Sequence, residues 1–295
     1  MTCSAAPRLA LGIVTAVLTW SSPTAITAAT GELQLHLRST PKDATPAKLI
    51  DTTWDPKSTA IFICDMWDDH WCKSAARRVV EMAEPLNQVV KQLRDRGVLV
   101  IHSPSSVVSF YKDTPQRQRA IGAPSARPPL KLTTAERWGT TWCYPDPERE
   151  PSLPIDDSDM GCACPTKCTI REAWTRQISS LTIAKGDAIT DNGQEAYNLL
   201  VSRKIRNVIL AGVHLNMCVL GRPFGIRQMV KEGFNVALMR DMTDTMYDPR
   251  MSPKVNHFEG TDLVINHVEK YWCPSFTSKD ITGKPAFRFR EDTRK

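Results

Sequence analysis

Short apolar runs alternate along the chain with segments whose apolar residues recur at helical spacing. Residues 59–65 form one such run and end in a carboxylate, and residues 72–96 follow with apolar positions three or four apart, up to a capping glycine. Further apolar runs lie at 98–102, 181–183, 207–211 and 235–239, and further helical patterns at 193–203, 218–232 and 258–271. Strands that alternate with helices predict an α/β fold, a doubly wound, mostly parallel sheet with helices on both faces.

The alternation stops between about residues 103 and 180, where the sequence is rich in proline, charge and cysteine. A structureless stretch of that length is uncommon in a compact domain. We therefore predict an insertion at 103–180 within a single domain at 57–295, with one short helix around 170–178. Residues 30–56 are predicted to form a polar, proline-containing N-terminal arm.

The first 29 residues are typical of a secretory signal peptide. Arg8 precedes an apolar stretch at 9–20, which is followed by small residues up to a predicted cleavage near Ala28 or Ala29. An apolar core of about twelve residues is too short to cross a bilayer, which takes roughly twenty. A buried first helix is the alternative, but Pro23 and the missing amphipathic period disfavour it. We expect an exported protein, periplasmic or extracellular, without membrane attachment after processing.

Composition and charge narrow the range of partners. The 295 residues are 41% hydrophobic and 24% charged, as in an ordinary globular protein. The net charge of +6 is spread along the chain without a block of like charges, so a nucleic-acid partner is not expected. Residues 212–217 lack the glycine spacing of a dinucleotide loop, so a nucleotide cofactor is not expected either.

Nine cysteines are many for a reduced enzyme of this size, and Cys3 would leave with the signal peptide. The predicted insertion contains Cys143, Cys162, Cys164 and Cys168, whose four sulfurs could bind a structural zinc ion. Their spacing is not that of a common zinc knuckle, and export favours disulfides. We favour disulfides and keep the structural zinc as the alternative.

Three polar residues lie near the carboxyl ends of predicted strands, namely Asp65, Lys185 and Cys218. Ligands of an open α/β sheet bind at this edge. A cysteine at a helix N-terminus tends toward the thiolate, and the backbone N–H groups there can hold an oxyanion. A lone cysteine after a strand is ordinarily a small buried apolar residue. The acid and the base at matching strand ends instead favour nucleophilic catalysis.

Two segments resemble a known family. Residues 65–69, Asp-Met-Trp-Asp-Asp, resemble the Asp-Met-Gln-Asn-Asp motif that opens isochorismatase-like hydrolases, the superfamily that includes nicotinamidases and N-carbamoylsarcosine amidohydrolases. Residues 211–219, Ala-Gly-Val-His-Leu-Asn-Met-Cys-Val, resemble the nucleophile segment of that superfamily. Lys185 precedes Ile205 by 20 residues, which is the spacing of the family's catalytic lysine. The resemblance covers about residues 59–96 and 181–241.

The resemblance implies a role for each matching residue. Asp65 would be the proton shuttle, Lys185 its electrostatic partner and Cys218 the nucleophile. A cis peptide bond would join Val213 and His214, and the N–H groups of His214 and Cys218 would form the oxyanion hole. The implied activity is that of an exported, cysteine-dependent amidohydrolase that cleaves the C–N bond of a small amide.

Departures from the family pattern concern the pocket. Trp67 and His70 replace residues that usually follow the catalytic acid, and we expect them to line the substrate site together with Asn216. The zinc site of nicotinamidases uses an Asp-x-His pair after the second strand, and no such pair follows His102. We therefore expect no catalytic metal, and nicotinamide becomes a less favoured substrate.

Two other functions stay open. The first is vinyl-ether hydrolysis of the isochorismate type, in which family members use the acid and the lysine without a cysteine nucleophile. The second is a non-catalytic exported protein that binds a small molecule beneath the insertion. In each case the expected partner is a small molecule, and the resemblance also allows a homo-oligomer.

Overall fold

The computed structural model describes residues 1–3, 31–41 and 47–294. The predicted signal peptide at 1–29 lies outside the described residues except for its first three, so export and cleavage stay predictions. Among the described residues, no helix has the combined length and apolar character that crossing a membrane requires.

Eight strands form one mixed, mostly parallel sheet, which confirms the predicted fold class. Its order is β2-β1-β10-β9-β8-β3-β4-β7; the six strands from β10 to β7 are parallel, and β1 pairs antiparallel with both β10 and β2. In chain order the strands are β1 (Leu33–Ser39), β2 (Lys48–Trp54), β3 (Thr59–Cys64), β4 (Leu99–Ser103), β5 (Glu136–Arg137), β6 (Thr140–Thr141), β7 (Ala188–Ile189), β8 (Asn207–Val213), β9 (Asn235–Asp244) and β10 (Ser275–Phe276). Strands β5 and β6 form a separate hairpin.

Helices cover both faces of the sheet, as predicted. They are α1 (Lys73–Arg96), α2 (Pro115–Ile121), α3 (Gly193–Ser202), α4 (Ile226–Lys231), α5 (His257–Tyr271) and α6 (Lys279–Thr282). The apolar stripe of α1 packs with Ile61 and Ile63 on one face, whereas α3, α4 and α5 pack with Phe62 on the other. Because successive side chains of a strand point to opposite faces, β3 supplies both cores.

Three segments differ from the sequence-based prediction. The strand predicted at 181–183 is a loop, and the strand there is β7, five residues further along. The arm predicted at 30–56 contributes β1 and β2, which pair at the edge of the sheet. The helix predicted at 218–232 is interrupted: a π-helical turn covers Leu215–Val219, and α4 begins only after Gly221, Pro223 and Gly225. Glycine and proline disfavour a helix interior, which explains the interruption.

The predicted insertion is mostly irregular, but it is anchored to the domain. The prediction of a helix around 170–178 is wrong, because this segment is irregular. Gln177 instead pairs with Trp67 in an isolated antiparallel bridge. The carboxylate of Asp68 accepts hydrogen bonds from the backbone N–H and the hydroxyl of Thr175, at 2.8 and 2.6 Å. These bonds hold the end of the insertion beside the chain that follows β3.

The order of the strands creates a switch point between β3 and β8. From β3 the chain moves outward to β4 and β7, and from β8 it moves the opposite way to β9 and β10. Cys64 at the end of β3 pairs with Gly212 of β8. Gly212 has a φ of 101°, and a Cβ there would lie 2.1 Å from the carbonyl oxygen of Cys64, so glycine is required for the two strands to meet. The crevice beyond this point is where open α/β sheets bind ligands.

Candidate active site

Asp65 lies at the bottom of the crevice, directly after β3, and is fully buried. Its backbone has a φ of 47°, and its N–H donates to the carbonyl of Ser103 at the end of the neighbouring strand β4. One carboxylate oxygen accepts a 2.7 Å hydrogen bond from the N–H of Ser105. The backbone thus fixes the direction of the acid, as a proton-transfer group requires.

Cys218 lies in the π-helical turn after β8, and its thiol contacts both Asp65 and Arg222. The side chain is buried. Burial raises the pKa of the Cys218 thiol well above its ordinary value, the Arg222 guanidinium opposes this shift, and the Asp65 carboxylate adds to it. These influences favour a thiol beside the carboxylate of Asp65, whereas the position near a helix N-terminus favours a thiolate.

Arg222 is the cation of this site, and the sequence-based prediction missed it. Its Nε lies 3.3 Å from Oδ2 of Asp65, and its side chain is only 1% exposed. The Nη1 group donates to the carbonyl of Trp138 and to the hydroxyl of Thr140, both at 3.1 Å. A buried guanidinium with these partners is held in place and stays charged.

The structure does not bring Lys185 to the predicted pair. Lys185 precedes β7 instead of following a strand, so it lies toward the opposite end of the sheet from Asp65 and Cys218. Its side chain is exposed, and its carbonyl accepts a hydrogen bond from Arg119. The reason is the shifted strand: with β7 at Ala188–Ile189, the first charged residue beyond its carboxyl end is Asp191, whose carboxylate accepts a hydrogen bond from the N–H of Ser106.

A cavity of about 360 Å³ opens onto Cys218 and Arg222. Half of its lining residues belong to the predicted insertion. Four tryptophans contribute, together with histidine, methionine and a short charged stretch. The lining residues are Trp67, His70, Trp71, Ser106, Trp138, Gly139, Met160, Ile170, Arg171, Glu172, Trp174, His214, Met217, Cys218, Arg222 and Met246. The insertion therefore covers the thiol and shapes the space in front of it.

Trp67 and His70 line this cavity, as expected from the motif after Asp65. Trp174 of the insertion stacks on Trp67, with ring centroids 4.2 Å apart and planes 10° from parallel. The ring of His70 lies 5.6 Å from Trp174, and its Nδ1 accepts from the N–H of Cys72. Burial lowers the pKa of His70 to about 4, so its imidazole is neutral near pH 7. The wall is aromatic and uncharged here.

The expected cis peptide bond between Val213 and His214 is present. The carbonyl of His214 accepts from the N–H groups of Met217 and Val219, so these two donors are used inside the turn. The buried imidazole of His214 lines the cavity, and burial lowers its pKa well below the ordinary value. The assignment of the His214 and Cys218 N–H groups as oxyanion donors stays a prediction.

Asn216 has a structural position rather than the predicted substrate contact. Its amide donates to the carbonyl of Met246 at 3.0 Å and to Asp157 at 2.8 Å, and its oxygen accepts from the N–H of Met246. These bonds use both ends of the amide, and Asn216 is not among the residues that line the cavity. The side chain ties the nucleophile turn to the chain after β9.

The potential metal ligands group differently from the prediction. His102, the last residue of the second predicted strand, is buried and hydrogen-bonded through its two ring nitrogens to Gln177 and Asp187. Of the four cysteines considered together, Cys162, Cys164 and Cys168 are neighbours, whereas Cys143 lies elsewhere, with its N–H bonded to the carbonyl of Gly221. Cys72, from the start of α1, joins the three in its place.

Comparison with known proteins gives only distant similarities. No protein-family model matches the sequence, and no curated protein matches it. Among solved structures, a cysteine hydrolase from Pseudomonas syringae pv. phaseolicola is 16% identical over 77% of this chain and 91% of its own, with a TM-score of 0.46. An isochorismatase family protein from Burkholderia thailandensis is 11% identical over 76% of this chain and 94% of its own, with a TM-score of 0.43. An isochorismatase from Pseudomonas putida is 9% identical over 81% of this chain and 94% of its own, with a TM-score of 0.44.

At these identities and TM-scores, the similarities by themselves assign neither an activity nor a substrate. The fold class rests on the order and direction of the strands, and the chemistry rests on the contacts among Asp65, Cys218 and Arg222.

Proposed function

We propose that this protein is a thiol-dependent hydrolase that cleaves a small amide, with Cys218 as nucleophile. The observation that supports this most is the contact of one buried thiol with both a carboxylate and a guanidinium at the base of a cavity. A nucleophile, a base within hydrogen-bond reach and a fixed positive charge are the parts that acyl transfer needs.

In the proposed reaction, the sulfur of Cys218 forms a bond to the amide carbonyl carbon while Asp65 takes the thiol proton. The oxyanion is stabilised by backbone N–H groups, assigned to His214 and Cys218 by the family resemblance. The C–N bond breaks as Asp65 returns the proton to the leaving amine. Water then adds to the thioester, Asp65 accepts a proton from it, and the C–S bond breaks to release the acid and restore the thiol.

Arg222 takes the role first assigned to Lys185. It lies beside both anions that form during the cycle, the thiolate of Cys218 and the carboxylate of Asp65. A fixed cation that is already held by Trp138 and Thr140 does not have to reorganise when the charge moves.

The cavity favours a small substrate with a flat, apolar acyl group. Trp67, Trp71, Trp138 and Trp174 all contribute to its wall, and aromatic rings pack against flat groups over a large area. An aromatic carboxamide therefore fits this wall better than an aliphatic amide.

The test is turnover and trapping with a panel of aromatic and aliphatic primary amides. Ammonia release should be fastest with an aromatic member, and Cys218→Ala should abolish it while circular dichroism stays unchanged. Rapid quenching followed by mass spectrometry should find the acyl group on the peptide that contains Cys218. Turnover retained by Cys218→Ala would exclude covalent catalysis.

The same measurements distinguish the alternatives. A vinyl-ether hydrolase would release no ammonia and would keep activity without the cysteine. A binding protein would retain its ligand unchanged and would leave no adduct on Cys218.

A further inference from the structure

We propose that Cys72, Cys162, Cys164 and Cys168 bind one zinc ion, which joins the start of α1 to the predicted insertion. The Sγ atoms of Cys72, Cys162 and Cys164 all lie within 4.8 Å of one another and are buried. The sulfur of Cys164 lies 4.0 Å from that of Cys72 and 3.6 Å from that of Cys168. Three thiols from two distant parts of the sequence thus meet around one point, and the sulfur of Cys168 adjoins them through Cys164.

The separations match a tetrahedral metal site. With Zn–S bonds of about 2.3 Å, neighbouring sulfurs of a tetrahedron lie about 3.8 Å apart. The two measured separations fall on either side of that value. The sulfur of Cys164 has close neighbours in both Cys72 and Cys168, which favours one shared centre over two separate pairs.

Hydrogen bonds to the sulfurs suit thiolates. The N–H of Ser74 donates to Cys164 at 3.2 Å, and the Ser74 hydroxyl lies 3.2 Å from the sulfur of Cys72. Backbone N–H groups of Cys164 and Cys168 approach the sulfur of Cys162. Metal-bound thiolates are commonly oriented by second-shell donors of this kind.

The charge nearby is also suitable. Four thiolates around one divalent cation leave two negative charges, which a neighbouring cation can balance. Arg250 contributes part of this balance: its guanidinium donates to the carbonyls of Cys162 and Cys164, at 3.2 and 3.0 Å, and to that of Pro165 at 3.0 Å, while its Nε also pairs with the Asp248 carboxylate, at 2.8 and 2.9 Å. Sulfur ligands in a closed four-coordinate site select zinc among the common divalent ions, without the open position of a catalytic centre.

The position of the cluster suggests what the ion does. Cys72 directly follows Trp71, and Cys168 stands shortly before the segment from Ile170 to Trp174; both neighbours line the cavity. The metal would therefore fix two walls of the cavity at their base. This role does not depend on the proposed hydrolase activity.

The experiment uses the full chain, produced in zinc-supplemented medium and purified under anaerobic conditions without thiol reductant or chelator. Elemental analysis should find one zinc ion per chain that survives dialysis against a weak chelator. Titration with an organomercurial should release it. In a separate denatured sample without mercurial, all eight cysteines of the processed chain, or nine where Cys3 is retained, should react with a thiol reagent. Replacement by Co²⁺ should give the intense visible absorption of a tetrahedral thiolate site.

Cysteine variants identify the ligands. Cys72→Ser, Cys162→Ser, Cys164→Ser and Cys168→Ser should each lower the zinc content at least tenfold. Cys143→Ser and Cys273→Ser change buried cysteines outside the cluster and should keep one zinc ion per chain. If the ligand variants do not fold, the wild-type metal content, thiol count and cobalt spectrum decide the question alone.

Three results would overturn the proposal. Two or four missing thiols, in protein without zinc, would show disulfides. Iron with acid-labile sulfide would show a cluster of another kind. Zinc that the weak chelator removes, together with no cobalt spectrum, would show adventitious binding only.

Discussion

Arg222 and Asp65 are directly paired at the base of the cavity, with Nε of the arginine 3.3 Å from Oδ2 of the acid and both side chains shielded from solvent. Cys218 touches both. Asp65 raises the pKa of the thiol and Arg222 lowers it. Removing either group should therefore change the reactivity of the thiol in opposite directions.

Asp65→Asn should make Cys218 easier to alkylate while it abolishes turnover. Burial raises the pKa of Cys218, Arg222 opposes the shift and Asp65 adds to it, so loss of the carboxylate lowers the pKa. Each unit of decrease raises the thiolate fraction about tenfold and lowers its nucleophilicity about threefold, a net gain of about threefold. Turnover should fall at least about 100-fold, because the proton carrier is lost.

The measurement is the rate of iodoacetamide labelling at pH 8, followed by mass spectrometry of the Cys218 peptide. Asp191→Asn is the control, since this nearby carboxylate bonds to the N–H of Ser106. Its labelling rate should stay within twofold of wild type. Slower labelling of Asp65→Asn would contradict the assigned role of the acid.

Arg222→Met should lower stability and activity together. It leaves the buried Asp65 without its cation, and breaking a buried pair in this way costs about 3–5 kcal/mol. Arg222→Lys keeps the charge but cannot retain both contacts to Trp138 and Thr140, so turnover should fall at least tenfold with a smaller loss of stability. Urea unfolding and steady-state kinetics measure both effects.

Lys185→Met is the matched control for the cation. Its side chain is exposed, so the free energy of unfolding should be unchanged and the turnover rate should remain within twofold of wild type. A large loss of turnover in Lys185→Met, with Arg222→Lys unaffected, would restore the lysine to the catalytic role.

The sequence predicted that Asp65 and Cys218 lie at one edge of the sheet, as in the structure, because each comes shortly after a strongly apolar strand. Their catalytic roles stay predictions. The position predicted for Lys185 was wrong because the strand was placed at the apolar run 181–183. The actual strand, β7, has only two residues and begins after Lys185. Arg222 had a signal that could have been used. It stands four residues after Cys218, the spacing at which side chains on one helical face meet.

Trp67 and His70 were predicted to line the site, but the part of the cavity wall that the insertion forms could not be predicted from the sequence. The sequence of the insertion has no periodicity. The segment that contains Thr175 is held by hydrogen bonds to Asp68 and not by a helix or strand. The grouping of Cys72 with Cys164 was likewise hidden, because 92 residues separate them. Local patterns predicted the elements of the sheet, whereas long-range contacts determined the walls of the site.

Trp174→Leu should raise KM about tenfold and leave kcat within threefold. The change removes the ring that stacks on Trp67, and an aromatic pair contributes about 0.5–1.5 kcal/mol beyond burial. Trp54→Leu, a buried tryptophan of β2 outside this cavity, should lower stability without changing KM. Kinetics with the best aromatic amide provide the test, and an unchanged KM in Trp174→Leu would remove the aromatic wall from substrate binding.

Glu150→Gln should reduce the dependence of stability on acid pH. Glu150 belongs to the predicted insertion and accepts hydrogen bonds from Arg227 of α4, at 2.6 and 3.0 Å, and from His267 of α5, at 2.8 Å. Burial alone would raise the pKa of Glu150, but His267 and Arg227 outweigh it and hold the pKa at about 2. The carboxylate thus stabilises the fold by about 3 kcal/mol above pH 4.5, and this contribution is lost as the pH falls toward 2.

Urea unfolding at pH 7, 5, 4 and 3 measures this contribution. The wild type should lose more stability between pH 5 and pH 3 than Glu150→Gln does, although the variant is less stable at pH 7 because Arg227 is left unpaired. Glu148→Gln changes an exposed carboxylate two residues earlier and should retain the wild-type slope. Equal slopes in wild type and Glu150→Gln would show that the Glu150 carboxylate does not anchor the insertion to α4 and α5.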